Sequence, residues 1–120
     1  MSYFFNLVTI VASLWLLSSP SVAEQACIRN YKCISVQKFN CEPVTGSHII
    51  YQTCYFEPER YLIVWLGKHE AAYHFCDVPP DVVAEFRHAP SMGHYYNTSI
   101  LSRSNNHRFD CRDHVIPDFE

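Results

Sequence analysis

The hydrophobic pattern of this chain changes period at Val78-Pro79-Pro80, from extended runs to a helical stripe. Upstream, "EQACIRNY" reads as an irregular lead-in. In "KCISVQKF" Ile34, Val36 and the aliphatic stem of Lys38 alternate with Ser35 and Gln37, which predicts a strand with one polar face. "NCEPVTGSH" supplies the turn residues Pro43 and Gly46, and "IIYQTCYF" resumes a β-branched and aromatic run, so the two strands are expected to form a hairpin with a long loop. After the turn "EPER", "YLIVWL" is apolar on both faces, as a central strand covered on both sides would be, and Gly67 ends it. In "AAYHFC", Tyr73 and Phe75 share one face and His74 and Cys76 the other.

Beyond the change of period, Val82, Val83, Phe86 and Ala89 fall at i, i+1, i+4 and i+7 of a helix that Pro80 opens and Pro90 stops. Ser91 is placed to cap a second short helix, with Met92, Tyr96 and Ile100 on its inner face. "LSRSNNH" reads as a polar loop, and "RFDCRDHVIP" as an edge strand. The fold class is therefore α+β: a small antiparallel meander of three to five strands packed against two short helices.

Compartment alters this picture more than charge does. The first 23 residues carry no acidic or basic side chain, and their apolar run ends in Ser21-Val22-Ala23. That is the pattern of a secretory signal peptide cleaved after Ala23, and Asn6, Thr9 and Ser13 interrupt it too often for a membrane span. A secreted or periplasmic product with no span after cleavage is expected. All six cysteines (Cys27, Cys33, Cys41, Cys54, Cys76 and Cys111) follow the leader, so the domain is expected to be stapled by disulfides. Clamping the helix pair would need a Cys76 to Cys111 bridge, leaving Cys27, Cys33, Cys41 and Cys54 to pair near the N-terminal hairpin. No C-x-x-C pair occurs and only one C-x-x-H pair, Cys111 to His114, which is too few close ligands for a structural zinc site, and no cofactor is implied. A formal net charge of −3 does not suit a strongly cationic nucleic-acid binder, although residues 86–114 hold four Arg and four His against Asp110 and Asp113.

The stretch 61–100 resembles the KTSC domain, named for its occurrence at the C-terminus of some lysyl-tRNA synthetases and also found as a stand-alone bacterial protein. The resemblance rests on an apolar strand, Tyr73-His74-Phe75, Val78-Pro79, a short helix, and then Ala89, Ser91, Gly93, Tyr95, Asn97 and Ile100 in the spacing A-x-S-x-G-x-Y-x-N-x-x-I. Phe75 stands where the family has a second tyrosine, Met92 where a lysine is common, and "LSRSN" lengthens the last loop. The leader and the resemblance together divide the chain into an expected signal peptide (1–23), an N-terminal strand and loop extension (24–47), a KTSC-like domain (48–116) and a C-terminal tail (117–120). For function it implies little beyond a suggested binding of RNA.

The residues themselves do not assemble a catalytic site. The seven histidines lack the i, i+4 spacing of a helical metal site; His69 and His74 flank a strand start, His88 and His94 flank Pro90, and His107 and His114 lie near the C-terminus. Cys76 beside His74 is the nearest nucleophile and base, but the even cysteine count claims Cys76 for a bridge. Tyr73, Phe75 and Tyr96 are expected to pack between sheet and helices. His94, Tyr95 and Asn97 would then face outward beside Arg87 as a recognition surface. The expected function is a non-catalytic binding module for a protein or cell-envelope component. The alternative is a module for RNA or single-stranded nucleic acid using Arg87, Tyr95, Arg103 and Arg108, with a small hydrolase or inhibitor behind both.

Overall fold

The computed structural model describes residues 24–67, 71–101, 103 and 105–119; the expected leader with its expected cleavage site, and His69, lie outside them. A four-stranded antiparallel sheet runs β3 (Asn40–Pro43), β4 (Ile50–Phe56), β5 (Tyr61–Leu66) and β6 (Ala72–Phe75), with neighbours in space following neighbours in sequence. Two further strands, β1 (Gln25–Cys27) and β2 (Cys33–Ser35), pair only with each other. The helical layer comprises α1 (Pro80–His88), the single turn α2 (Met92–Tyr95) and a π turn, Tyr96–Ile100, closed by a hydrogen bond from Leu101 N–H to the Tyr96 carbonyl (3.0 Å). The protein is thus an α+β fold built on a meander.

Alternation along β5 sets the layers. Leu62 and Val64 face the helices, in a core completed by Ile50, Tyr55, Phe75, Val83, Phe86 and Tyr96. Tyr61, Ile63 and Trp65 face the other way, against Ala26, Ile28, Ile34, Val36 and Phe39 from the β1–β2 segment, with Ile116 and Phe119 closing over them. Ile50 and Cys54 have the same parity yet lie in opposite cores. The register shift between Ile50 and Gln52 inserts one residue and so exchanges the faces of β4.

Four details differ from the sequence-based expectation. Residues 25–27, read as irregular, form β1. The strand over 32–39 shrinks to β2, which turns back on β1, so it makes no hairpin with β4. The partner of β4 on that side is instead β3, formed by the first residues of the expected loop, and Pro43 is tolerated there because β3 is an edge strand. The expected C-terminal edge strand is a 3₁₀ turn, Cys111–Asp113, capped by the Asp110 side chain: Arg112 N–H donates to Oδ1 at 2.9 Å.

Three disulfides join Cys27 to Cys33, Cys41 to Cys54 and Cys76 to Cys111. The first two connect directly opposed residues of antiparallel neighbours. The third spans 35 positions and encloses the whole helical layer.

Candidate functional site

Two short segments converge at one end of the helical layer. The first is the helix break at residues 89–93, where Ser91 Oγ accepts the His94 N–H (3.2 Å) and so starts α2. The second is the loop 44–49, where Ser47 Oγ accepts the N–H groups of Ile49 (3.2 Å) and Ile50 (3.0 Å), and Gly46 takes the left-handed φ of +83° that few side chains tolerate. Between them lies a groove of about 360 Å³. Gly93 is buried at its end because the Ile49 side chain rests on it: a Cβ at position 93 would stand 2.9 Å from Ile49 Cδ1. Ala89, Ser91 and Gly93 therefore line a concave surface while also shaping the chain. Ile49, which is 47% exposed, adds apolar area to it.

Arg87 closes one side of the groove, but its guanidinium is already engaged. Nε donates to Thr53 Oγ1 (3.1 Å), Nη1 to Asn40 Oδ1 (2.7 Å) and Nη2 to the Asn40 carbonyl (2.9 Å), with Glu42 at 3.5 Å. It fastens α1 across β3 and β4. Tyr95 turns its ring onto Phe86, stacked at 5.8 Å, and its hydroxyl donates to Glu85 Oε2 (3.0 Å). Burial first, and that carboxylate second, push the Tyr95 phenol up to about 12. His94 and Asn97 are exposed on the α2 and π turns. Arg103 is exposed near Tyr96, and the Arg108 guanidinium lies 4.8 Å from the Phe109 ring, close enough to act on Tyr95. Arg87 therefore belongs with the groove, apart from Tyr95, Arg103 and Arg108.

Sequence reasoning did not bring the loop 44–49 into the site. Its turn chemistry was visible, but nothing local says that it would face the residues after Pro90. Tyr73, Phe75 and Tyr96 do pack between sheet and helices.

On the opposite face His74 is half-buried, with Nδ1 2.7 Å from the Tyr61 hydroxyl and its ring 5.2 Å from Tyr31. Burial lowers the His74 pKa below 6.5, and Asp110 opposes this more weakly. Burial also holds the Tyr61 phenol protonated, so it donates to an unprotonated Nδ1. Between the lowered native value and about 6.5 the unfolded chain binds more protons at this residue, so its contribution to stability is full above pH 6.5 and lost as pH falls through that window. Thermal melts from pH 7.5 to 5.0 should show a fall in Tm that is visibly shallower in His74→Gln. Parallel curves for the two chains would refute this.

Among the described residues, no group of three or more His, Cys, Asp or Glu is placed to hold a metal ion, and no helix is long and apolar enough to cross a membrane. No curated protein matches the chain. A solved KTSC domain protein from Yersinia pestis is 23% identical, covering 54% of this chain and 89% of its own, with a TM-score of 0.49. The family profile described as KTSC domain matches residues 46–103, a segment that carries β4 to β6, the helical layer and, apart from Val44 and Thr45, the walls of the groove. Residues 46–103 of this chain are therefore similar to the KTSC domain.

Proposed function

We propose that this chain works by binding a protein or cell-envelope component, without catalysis, and that the groove between residues 44–49 and 89–93 is its contact surface. The carrying observation is that the motif residues Ala89, Ser91 and Gly93 line an open groove to which the exposed side chain of Ile49 also contributes. Exposed apolar residues next to a concave surface with polar edges are the usual composition of a recognition site. The three disulfides support an oxidising compartment, and with the apolar leader they favour a secreted or periplasmic product.

The test is a photo-crosslinking residue at His48, which lines the groove and is exposed, activated in the exporting cell's envelope fraction. A discrete protein adduct is expected, and Ile49→Glu, which puts a charge on an exposed position, should reduce it at least tenfold. An adduct that Ile49→Glu leaves unchanged would exclude the groove. The nucleic-acid alternative draws on Arg103, Arg108 and Tyr95, and makes a different demand: affinity for single-stranded RNA must fall steeply as salt rises, and Ile49→Glu must leave it intact.

A further inference from the structure

On the opposite face of the sheet, residues from both sides of the KTSC segment meet Phe56 and Tyr61 within it. There the rings of Phe39, Phe56 and Tyr61 converge on one side chain, Phe119, at centroid distances of 4.7, 5.1 and 5.3 Å. Ile116 enters the same core three positions earlier, and Asp118 lies 3.8 Å from the ammonium of Lys32. Val115 is 93% exposed. Among the described residues, the backbone of 115–119 makes no hydrogen bond with the body of the protein. The segment is held by two apolar side chains and one surface ion pair. Beside it opens a groove of about 550 Å³, lined by Ser35, Gln37, Lys38, Phe56, Glu59 and the tail itself.

An extended segment held by its side chains, with an open groove along one flank, is bound as a peptide ligand is bound. Its backbone adds nothing that a second peptide could not supply. We propose that the Phe39, Phe56 and Tyr61 pocket is a docking site for an extended peptide that presents an aromatic side chain, an acidic residue before it and an aliphatic residue three positions before it. The chain's own Ile116-Pro117-Asp118-Phe119 occupies that site as an internal competitor. The aromatic anchor supplies most of the contact area, Lys32 selects the acid, and Pro117 keeps the segment extended. Binding of a partner at this face then requires release of the tail, so affinity is lowered by the fraction of time the tail is docked.

The probe is a fluorescent peptide of residues 113–119, titrated by anisotropy into the otherwise full chain. Phe119→Ala empties the pocket without altering its walls and should bind the peptide at least tenfold more tightly than the unsubstituted chain. Ile116→Ala, which loosens the tail from outside the aromatic pocket, should show a smaller gain in the same direction. A peptide with Phe119 replaced by Ala should bind neither. Equal affinity for all three chains, or no binding to Phe119→Ala, would overturn the proposal. So would loss of the cooperative fold in both variants, because the tail would then be an ordinary part of the core. Concentration-dependent dimerisation of the unsubstituted chain that Phe119→Ala abolishes would equally overturn it, by assigning the pocket to a second copy.

Discussion

Phe86→Ala is expected to destabilise the protein by about 3–5 kcal/mol, the range for removing a buried phenylalanine ring. Phe86 is fully buried and is the point at which α1, α2 and the π turn meet: it stacks on Tyr95 and lies 6.3 Å from the Tyr96 ring. Truncation removes that contact from both tyrosines at once. Neither can follow the missing ring inward, because Tyr95 is tethered to Glu85 and Tyr96 is also packed edge-on against Phe75. The cavity therefore persists, and the cost belongs at the upper end of the range. Domains of this size have a total margin of about 5–15 kcal/mol, so a large part of it is lost. Urea denaturation followed by near-ultraviolet circular dichroism gives the measurement. A loss below about 1 kcal/mol would mean that the helical layer collapses onto the gap, and that Phe86 is not its organising contact.

The central elements were legible because their signals are local. Residues 61–66 are apolar on both faces, and only a strand covered on both sides satisfies that pattern, so β5 sits where its sequence places it. Ser91 is followed by a helical turn, and its hydroxyl caps it. What was not legible depends on pairing at a distance. Asn40 and Pro43 carry turn chemistry, and nothing local reveals that Cys41 stands opposite Cys54 and makes the segment an edge strand. The six-residue interval between Cys27 and Cys33 was a usable sign of the β1–β2 hairpin, since two cysteines that close can lie opposite each other across a tight turn.

The C-terminal segment misled for another reason. Phe109 and Cys111 are both buried, as alternation suggests, but the Asp110 side chain competes for the backbone and wins, giving a turn with strand-like burial. The same limit applies to the candidate site. Arg87 was recognisable as a neighbour of the helix break. Its partners Asn40 and Thr53 lie 47 and 34 positions away, so the sequence could not show that its charge is spent on fastening α1 to the sheet. Likewise the aromatic pocket is assembled from Phe39, Phe56, Tyr61 and Phe119, four rings from four different segments with no shared period.

The disulfides provide the second large expected effect, and they rank themselves by the loops they close. In the chain-entropy account a bridge over 35 positions contributes about 4 kcal/mol, whereas one over 6 positions contributes roughly 2 kcal/mol. Replacing Cys76 and Cys111 together by alanine should therefore cost about twice as much as replacing Cys27 and Cys33 together. The structure gives this ranking a mechanism. Cys76 and Cys111 are 3% and 4% exposed, and their bond encloses α1, α2 and the π turn in one loop anchored to the end of β6. Without it, the backbone bond from Cys76 N–H to the Phe109 carbonyl (2.9 Å) remains, along with the burial of Phe109, but neither restricts the unfolded chain. Cys27 and Cys33, by contrast, are exposed and join two strands already paired to each other, so their removal frees little. Urea midpoints of the two double variants, measured without reductant, make the comparison. The larger loss must fall on the Cys76 and Cys111 pair; the reverse order would mean that the hairpin over the second face, and not the clamp on the helices, sets the stability of this domain.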